Sequence, residues 1–98
     1  MKKRTKAVSI TPAVRRAVEE RDNYCCIFCG RPGRGEAHFI GRAQGGLGIE
    51  QNLLTVCREC HFQLDNGLAT KLYRQKAEAY LRAKYEDFDI DALKYKKG

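Results

Sequence analysis

Apolar and polar positions along this chain fall into five patterned stretches and an apolar-studded tail. Ala13, Val14, Ala17 and Val18 recur at helical spacing after Thr11-Pro12, a Thr N-cap followed by Pro at the first helical position. That pattern predicts a helix to about Arg21, broken by Asp22-Asn23. Glu36 to Ile40 reads as a short strand, and Leu53 to Val56 as a β-prone run able to pair back as a hairpin. From Arg58 a helix should run through His61, Leu64 and Asp65 and stop at Asn66-Gly67. Residues 68 to about 85 read as a second long helix with a broad apolar side of Leu72, Ala79 and Ala83, with Tyr73, Ala77 and Tyr80. In the tail, Phe88, Ile90, Leu93 and Tyr95 are expected to pack on the core rather than stack on bases. Arg31 to Gly35 is loop, and a second loop carries four Gly between 41 and 48. That loop reads either as a place of close backbone approach or as a flexible connection. No internal repeat is visible.

The pattern fits one small domain of 98 residues. Residues 1–10 read as a flexible basic arm and 11–98 as a single domain, with a core over about 22–67 and a helical extension over 68–98. So short a chain buries a limited share of its surface, so a metal staple would help it fold. No apolar run approaches the roughly 20 residues that cross a bilayer. The basic N-terminus lacks the apolar stretch of a signal peptide. These features lead to the expectation of an intracellular, cytoplasmic protein with no membrane association, where thiols stay reduced.

The formal net charge is +7, and the six basic residues up to Arg16 face no acid. A basic arm of this kind can follow a phosphate backbone by counterion release, or it can be a solvated tail. Charge alone weighs the two about equally.

The cysteines are more informative. Cys26-x-x-Cys29 and Cys57-x-x-Cys60 form a doubled pair, and five Cys in a reducing compartment suggest metal rather than disulfides. A two-residue gap lets both thiolates of a turn face one ion, and two such turns complete a tetrahedral zinc shell with Zn–S of about 2.3 Å. Tyr24 to Gly30 is the knuckle carrying the first pair. Four sulfurs leave no position for water, so this zinc is expected to be structural. Cys25 could replace Cys26 as a ligand, but Cys26 is preferred, leaving Cys25 as a small buried residue. No βαβ pattern supports a thioredoxin-like redox role.

Both histidines, His38 and His61, bracket one window, with Asn52 between them. A hairpin followed by a helix would fold His38 over His61, and the cysteine cage would fix that geometry. His61 and Asp65 are four apart and share a helix face, where an imidazole and a carboxylate can hold one divalent ion. His38, with a pKa near neutrality, can act as general base on water. Asn52 could bond backbone across the hairpin and hold the His38 strand in register; the plain reading is a strand-entry residue. Asp65 has a plain reading too, as a helix-end residue. Arg42, Arg58, Arg15 and Arg16 are candidate DNA-backbone contacts, each equally readable as a solvated charge.

Arg21-Asp22, Cys26-x-x-Cys29-Gly30, Ala37-His38-Phe39-Ile40, Gly45-Gly46, Asn52-Leu53-Leu54 and Cys57-x-x-Cys60-His61 together resemble the HNH endonucleases. The similarity is to the variety with two Cys pairs, common in phages and prophages. It runs from about Thr11 to Gly67. It implies an α+β, zinc-stabilised domain with a ββα-metal, treble-clef-like core and flanking helices. It also implies cutting of DNA with Mg²⁺, Mn²⁺ or another divalent metal. On the family pattern His38 is the first H and the base, Asn52 the N, and His61 the last H and a metal ligand. Asp65 stands where some members, such as nuclease colicins, place a further ligand. Ala37 departs from the pattern, since many members carry Asp or His there as a ligand. The metal then hangs on His61 and Asp65 with water or Glu36 filling in, or His38 is itself a ligand and the base lies elsewhere. Phage packaging or recombination proteins are conceivable partners. The alternatives are a non-catalytic zinc-finger module for nucleic acid on the same frame, and a protein-interaction zinc domain.

Overall fold

The computed structural model describes residues 3–96. Met1 and Lys2, part of the expected arm, and Lys97 and Gly98 lie outside them. The architecture is α+β: helix α1 (Lys3–Val8), helix α2 (Pro12–Arg21), strand β1 (Arg34–His38), strand β2 (Leu53–Val56), helix α3 (Arg58–Asn66) and helix α4 (Thr70–Lys84). A 3₁₀ turn at Glu50–Asn52 leads into β2, and another at Ile90–Leu93 lies in the tail. No helix among the described residues is long and apolar enough to cross a membrane.

Local chemistry accounts for most boundaries. Thr11 caps α2 by accepting a hydrogen bond from Val14 N–H through its side chain, 3.2 Å away. Cys57 does the same for α3, its sulfur accepting from Cys60 N–H. Gly67 follows the last residue of α3.

The strands pair antiparallel, with Ala37 opposite Leu54 and His38 opposite Leu53. The register breaks between Arg34 and Ala37, where β1 carries one residue more than β2. β1 therefore begins earlier and ends earlier than the expected Glu36 to Ile40. Beyond His38 the ladder bonds are supplied differently. Phe39 N–H donates to the Asn52 carbonyl at 2.8 Å, and both backbone groups of Ile40 are taken by the Asn52 side chain. Gly35 lets α2 lie directly on β1, since a Cβ there would meet the Arg15 carbonyl oxygen at 3.0 Å.

The core lies between the sheet, α3, α4 and the tail. Ala37, Phe39, Leu54, Val56, Leu64, Ala77, Leu81 and Leu93 are buried in it, with Phe88 and Ile90 packed against them. Phe88, Ile90 and Leu93 of the tail thus sit on the core, as expected, whereas Tyr95 is half-buried and is not among the residues packed there. The apolar side of α4 needs correction. Its inward face is Tyr73, Ala77, Tyr80 and Leu81, while Leu72, Ala79 and Ala83 are exposed. Positions 73, 77, 80 and 81 follow the i, i+4, i+7, i+8 stripe, and of the apolar residues on α4 they alone join the core.

Arg21 and Asp22 form the polar anchor of this core. The Arg21 Nε–Asp22 Oδ1 distance is 2.8 Å, with the Asp22 side chain fully buried. Arg21 also donates to the Leu53 carbonyl (2.7 Å) and to Tyr85 Oη (3.0 Å), while Thr55 N–H (3.0 Å) and Tyr80 O–H donate to Asp22. Burial opposes ionisation of Asp22, but hydrogen bonds from Arg21 and Tyr80 outweigh it and hold the carboxyl below its ordinary range. Burial and the bond to Asp22 push the Tyr80 phenol up to about 12. One ion pair therefore ties α2, β2 and α4 together.

Part of the segment expected as a flexible arm over 1–10 has regular structure. Residues 3–8 are helical, and Val8 is buried. Six residues make too short a helix to persist alone. Docking holds this one: Gly48 N–H donates to the Ala7 carbonyl at 3.0 Å, and Arg4 donates to the Arg42 and Ala43 carbonyls at 3.2 and 2.8 Å.

Candidate functional site

The two Cys pairs meet at one point. The sulfurs of Cys26, Cys29, Cys57 and Cys60 all lie within 4.8 Å of one another, and Cys29 and Cys57 approach to 3.6 Å. The edge of a tetrahedron with bonds of about 2.3 Å is about 3.8 Å. A disulfide needs about 2.05 Å, and all five cysteines are free thiols. The four sulfurs therefore fit a metal ion such as zinc. Cys25 is half-buried beside the group and is not one of it.

Local structure builds this cage. Asn23 and Tyr24 take positive φ, turning the chain out of α2, and Gly30 (φ +79°) closes the knuckle. Gly30 N–H donates to the Cys26 carbonyl at 2.9 Å, and Ile27 N–H to the Thr55 carbonyl of β2 at 3.0 Å. Cys57 and Cys60 come from the start of α3. The Cys60 backbone N–H pulls the Cys57 thiol down to about 7. Burial and the neighbouring Cys57 and Cys26 sulfurs push Cys60 upward. Four thiols this close cannot all ionise unless a cation joins them, which is the electrostatic argument for a metal.

The second constellation gathers at the end of β1 and on α3. His38 at the end of β1, His61 and Asp65 on α3, Glu36 and Arg42 line one cleft of about 590 Å³. His61 Nε2 and Asp65 Oδ2 are 3.2 Å apart. Two ligands at about 2.1 Å on adjacent corners of an octahedron are separated by about 3.0 Å, so this pair suits a shared divalent ion. Among the described residues, the four sulfurs are nevertheless the one group of three or more ligand atoms drawn together.

His38 is 8% exposed, and its Nε2 lies 3.0 Å from the Val8 carbonyl oxygen. Burial lowers its pKa; the Val8 bond opposes this, and the charge of Arg42 lowers it further. The ring is therefore neutral near pH 7, the state a general base requires.

Asn52 does not reach the cleft. It is fully buried, its Oδ1 accepting from Ile40 N–H at 2.8 Å and its Nδ2 donating to the carbonyls of Ile40 (3.1 Å) and Leu47 (2.9 Å). Two of these bonds go to Ile40, just past His38, and the third to Leu47 in the loop that follows, so the side chain bonds backbone across the hairpin.

An adjoining cavity of about 460 Å³ shares Glu36, His61 and Asp65 with the cleft and adds Arg34, Arg58 and Phe62. Cationic side chains thus stand at both ends, Arg42 at one and Arg34 with Arg58 at the other. Arg15 reaches the edge through Glu36, 3.9 Å away. Arg16 is exposed on α2 and lines neither cavity.

Sequence reasoning missed the arm over His38 and the buried work of Arg21 and Asp22. No local signal could have revealed either, since their partners lie 30 or more residues away. Arg34 could have been noticed, two positions before Glu36 on the same strand. Comparison with protein-family models, with curated proteins and with solved structures returned no match.

Proposed function

We propose that this chain is a metal-dependent DNA endonuclease of the HNH type, built on a ββα-metal core, that hydrolyses phosphodiester bonds. One observation carries the reading: His38, distant in sequence from His61 and Asp65, lines a single cleft with them, with cations at both ends.

His38 is the general base. Its neutral ring takes a proton from water as the water oxygen attacks phosphorus, and the bond to the departing oxygen breaks. His61 and Asp65 hold the catalytic ion. When bound, Mg²⁺, Mn²⁺ or another divalent metal neutralises charge on the phosphate and the departing oxygen. Ala37, buried in the core, contributes no ligand. Arg42, Arg34 and Arg58 grip backbone phosphates on either side of the reacting bond. Asn52 is a positioning residue that keeps β1 and β2 in register. Cys26, Cys29, Cys57 and Cys60 hold a structural zinc that fixes the start of α3, and so His61.

A second reading is a non-catalytic nucleic-acid-binding zinc module on the same frame. It is favoured by Ala37 and by the Val8 bond, which would satisfy His38 as an ordinary structural residue. Supercoiled plasmid incubated with Mg²⁺, Mn²⁺ or Ni²⁺ separates the two. Nicking by wild type that His38→Ala abolishes is the result expected of the nuclease. Gel retardation by both proteins, with no cutting under any metal, would establish the module instead.

A further inference from the structure

We infer that the N-terminal segment 4–10 is a built-in positioning element for the catalytic base, with the Val8 main-chain carbonyl as its working atom; this rests on the nuclease reading above. A carbonyl oxygen can only accept a hydrogen bond. The 3.0 Å contact between the Val8 oxygen and His38 Nε2 therefore places a proton on Nε2. In the neutral ring this leaves the lone pair on Nδ1, the nitrogen free to take a proton from water in the cleft. The same contact stops the ring from turning over, which would present the wrong nitrogen.

The segment is fitted to this task at several independent points. Ser9 and Ile10 form part of the cleft wall, so the arm completes the site as well as orienting its base. Ala7 is held by Gly48 N–H. Gly48 admits the arm only because it lacks a side chain: a Cβ there would lie 2.1 Å from the Ser9 oxygen. Arg4 bonds two carbonyls of the turn that carries Arg42. The glycine-rich loop is held from its other side by the tail, with Leu47 N–H on the Leu93 carbonyl (2.8 Å) and Tyr95 N–H on the Gly45 carbonyl (2.7 Å). The close backbone approach allowed by these glycines is thus to the protein's own termini. The arm's bond to the base is made by a main-chain atom. Its action on the reaction runs entirely through His38 and the cleft wall.

The test uses full-length, zinc-loaded protein carrying Gly48→Ala, which displaces the arm, and Arg4→Ala, an exposed change that loosens it without touching the core. Zinc content and far-UV circular dichroism report whether each variant is folded. Long-range ¹H–¹⁵N correlation spectra of the histidine rings read the tautomer directly. Wild type should show His38 with its proton on Nε2, and Gly48→Ala a mixture of tautomers. In plasmid nicking, kcat should fall about 10- to 100-fold in Gly48→Ala, with KM changed less than about twofold. Arg4→Ala should move both readouts in the same direction by less. A wild-type ring protonated on Nδ1, or folded variants with an unchanged tautomer and kcat, would overturn the inference. The spectra need no turnover, so wild type that cuts nothing would refute the nuclease reading while the arm's hold on the ring is still decided.

Discussion

Replacing Asn52 with Ala removes three hydrogen bonds at once and tests whether this side chain sets the register of the His38 strand. Asn52 is fully buried, and its amide satisfies Ile40 N–H, Ile40 C=O and Leu47 C=O at 2.8 to 3.1 Å. A buried polar group left without a partner costs about 1–3 kcal/mol. Ile40 and Leu47 are only partly buried, so water can recover part of that loss for each. A total of about 3 kcal/mol follows from three groups at the low end of the range. For a domain of this size that corresponds to a fall in Tm of about 12–24 °C. The measurement is thermal and urea unfolding of zinc-loaded protein at fixed free zinc, because any ligand of the folded state adds to apparent stability. Asn52→Asp should be no better than Ala, since a carboxylate keeps the bond from Ile40 N–H but faces two carbonyl oxygens. A melt for Asn52→Ala within about 3 °C of wild type would refute the reasoning. Lost nicking with an unchanged melt would assign Asn52 to the chemistry instead of the register.

Three further substitutions separate the cage, the cleft and the buried ion pair. Cys57→Ser, or removal of zinc by chelator, should unfold the domain as followed by circular dichroism, because folding and metal binding are one equilibrium in such sites. His38→Ala strands only the Val8 carbonyl and should stay folded, costing about 1 kcal/mol; equal melts for the two variants would contradict this division of labour. Asp22→Asn leaves the 12%-exposed Arg21 charge without its partner and should cost about 3–5 kcal/mol at pH 7 by urea unfolding. The folded pKa of Asp22 lies below its ordinary 3.8, so its contribution is complete above that value and is lost as pH falls through the folded pKa. The gap between wild type and Asp22→Asn should therefore close in acid, with the zinc contribution common to both cancelling. A gap that widens below pH 4 would reverse the sign assigned here.

Several parts of this molecule were legible without coordinates because their signals are local. Thr11-Pro12 starts α2, Leu53 to Val56 is the second strand, and Asn66-Gly67 ends α3, each through neighbours within a few residues. The doubled Cys-x-x-Cys spacing placed four sulfurs around one point, since a turn delivers its two thiols together whatever surrounds it. The preference for Cys26 over Cys25 agrees with the sulfur group found. Spacing also put His61 and Asp65 on one helix face.

What only the tertiary structure decided concerns partners far apart along the chain. Residues 3–8 carry too few turns to declare a helix, and they are helical because Gly48 and the loop around Arg42 receive them. Arg21-Asp22 looked like the end of a helix and is a buried pair holding Tyr80 and Tyr85 more than 50 residues away. Helical periodicity gave α4 one broad apolar side, and packing took only the part of it along Tyr73, Ala77 and Tyr80, adding Leu81. His38 could be named from its neighbours, but the carbonyl that holds its ring belongs to Val8. Spacing along a chain encodes which groups one turn of helix or one knuckle brings together. Which distant backbone meets which side chain depends on how whole elements share a core, and that is settled only when they pack.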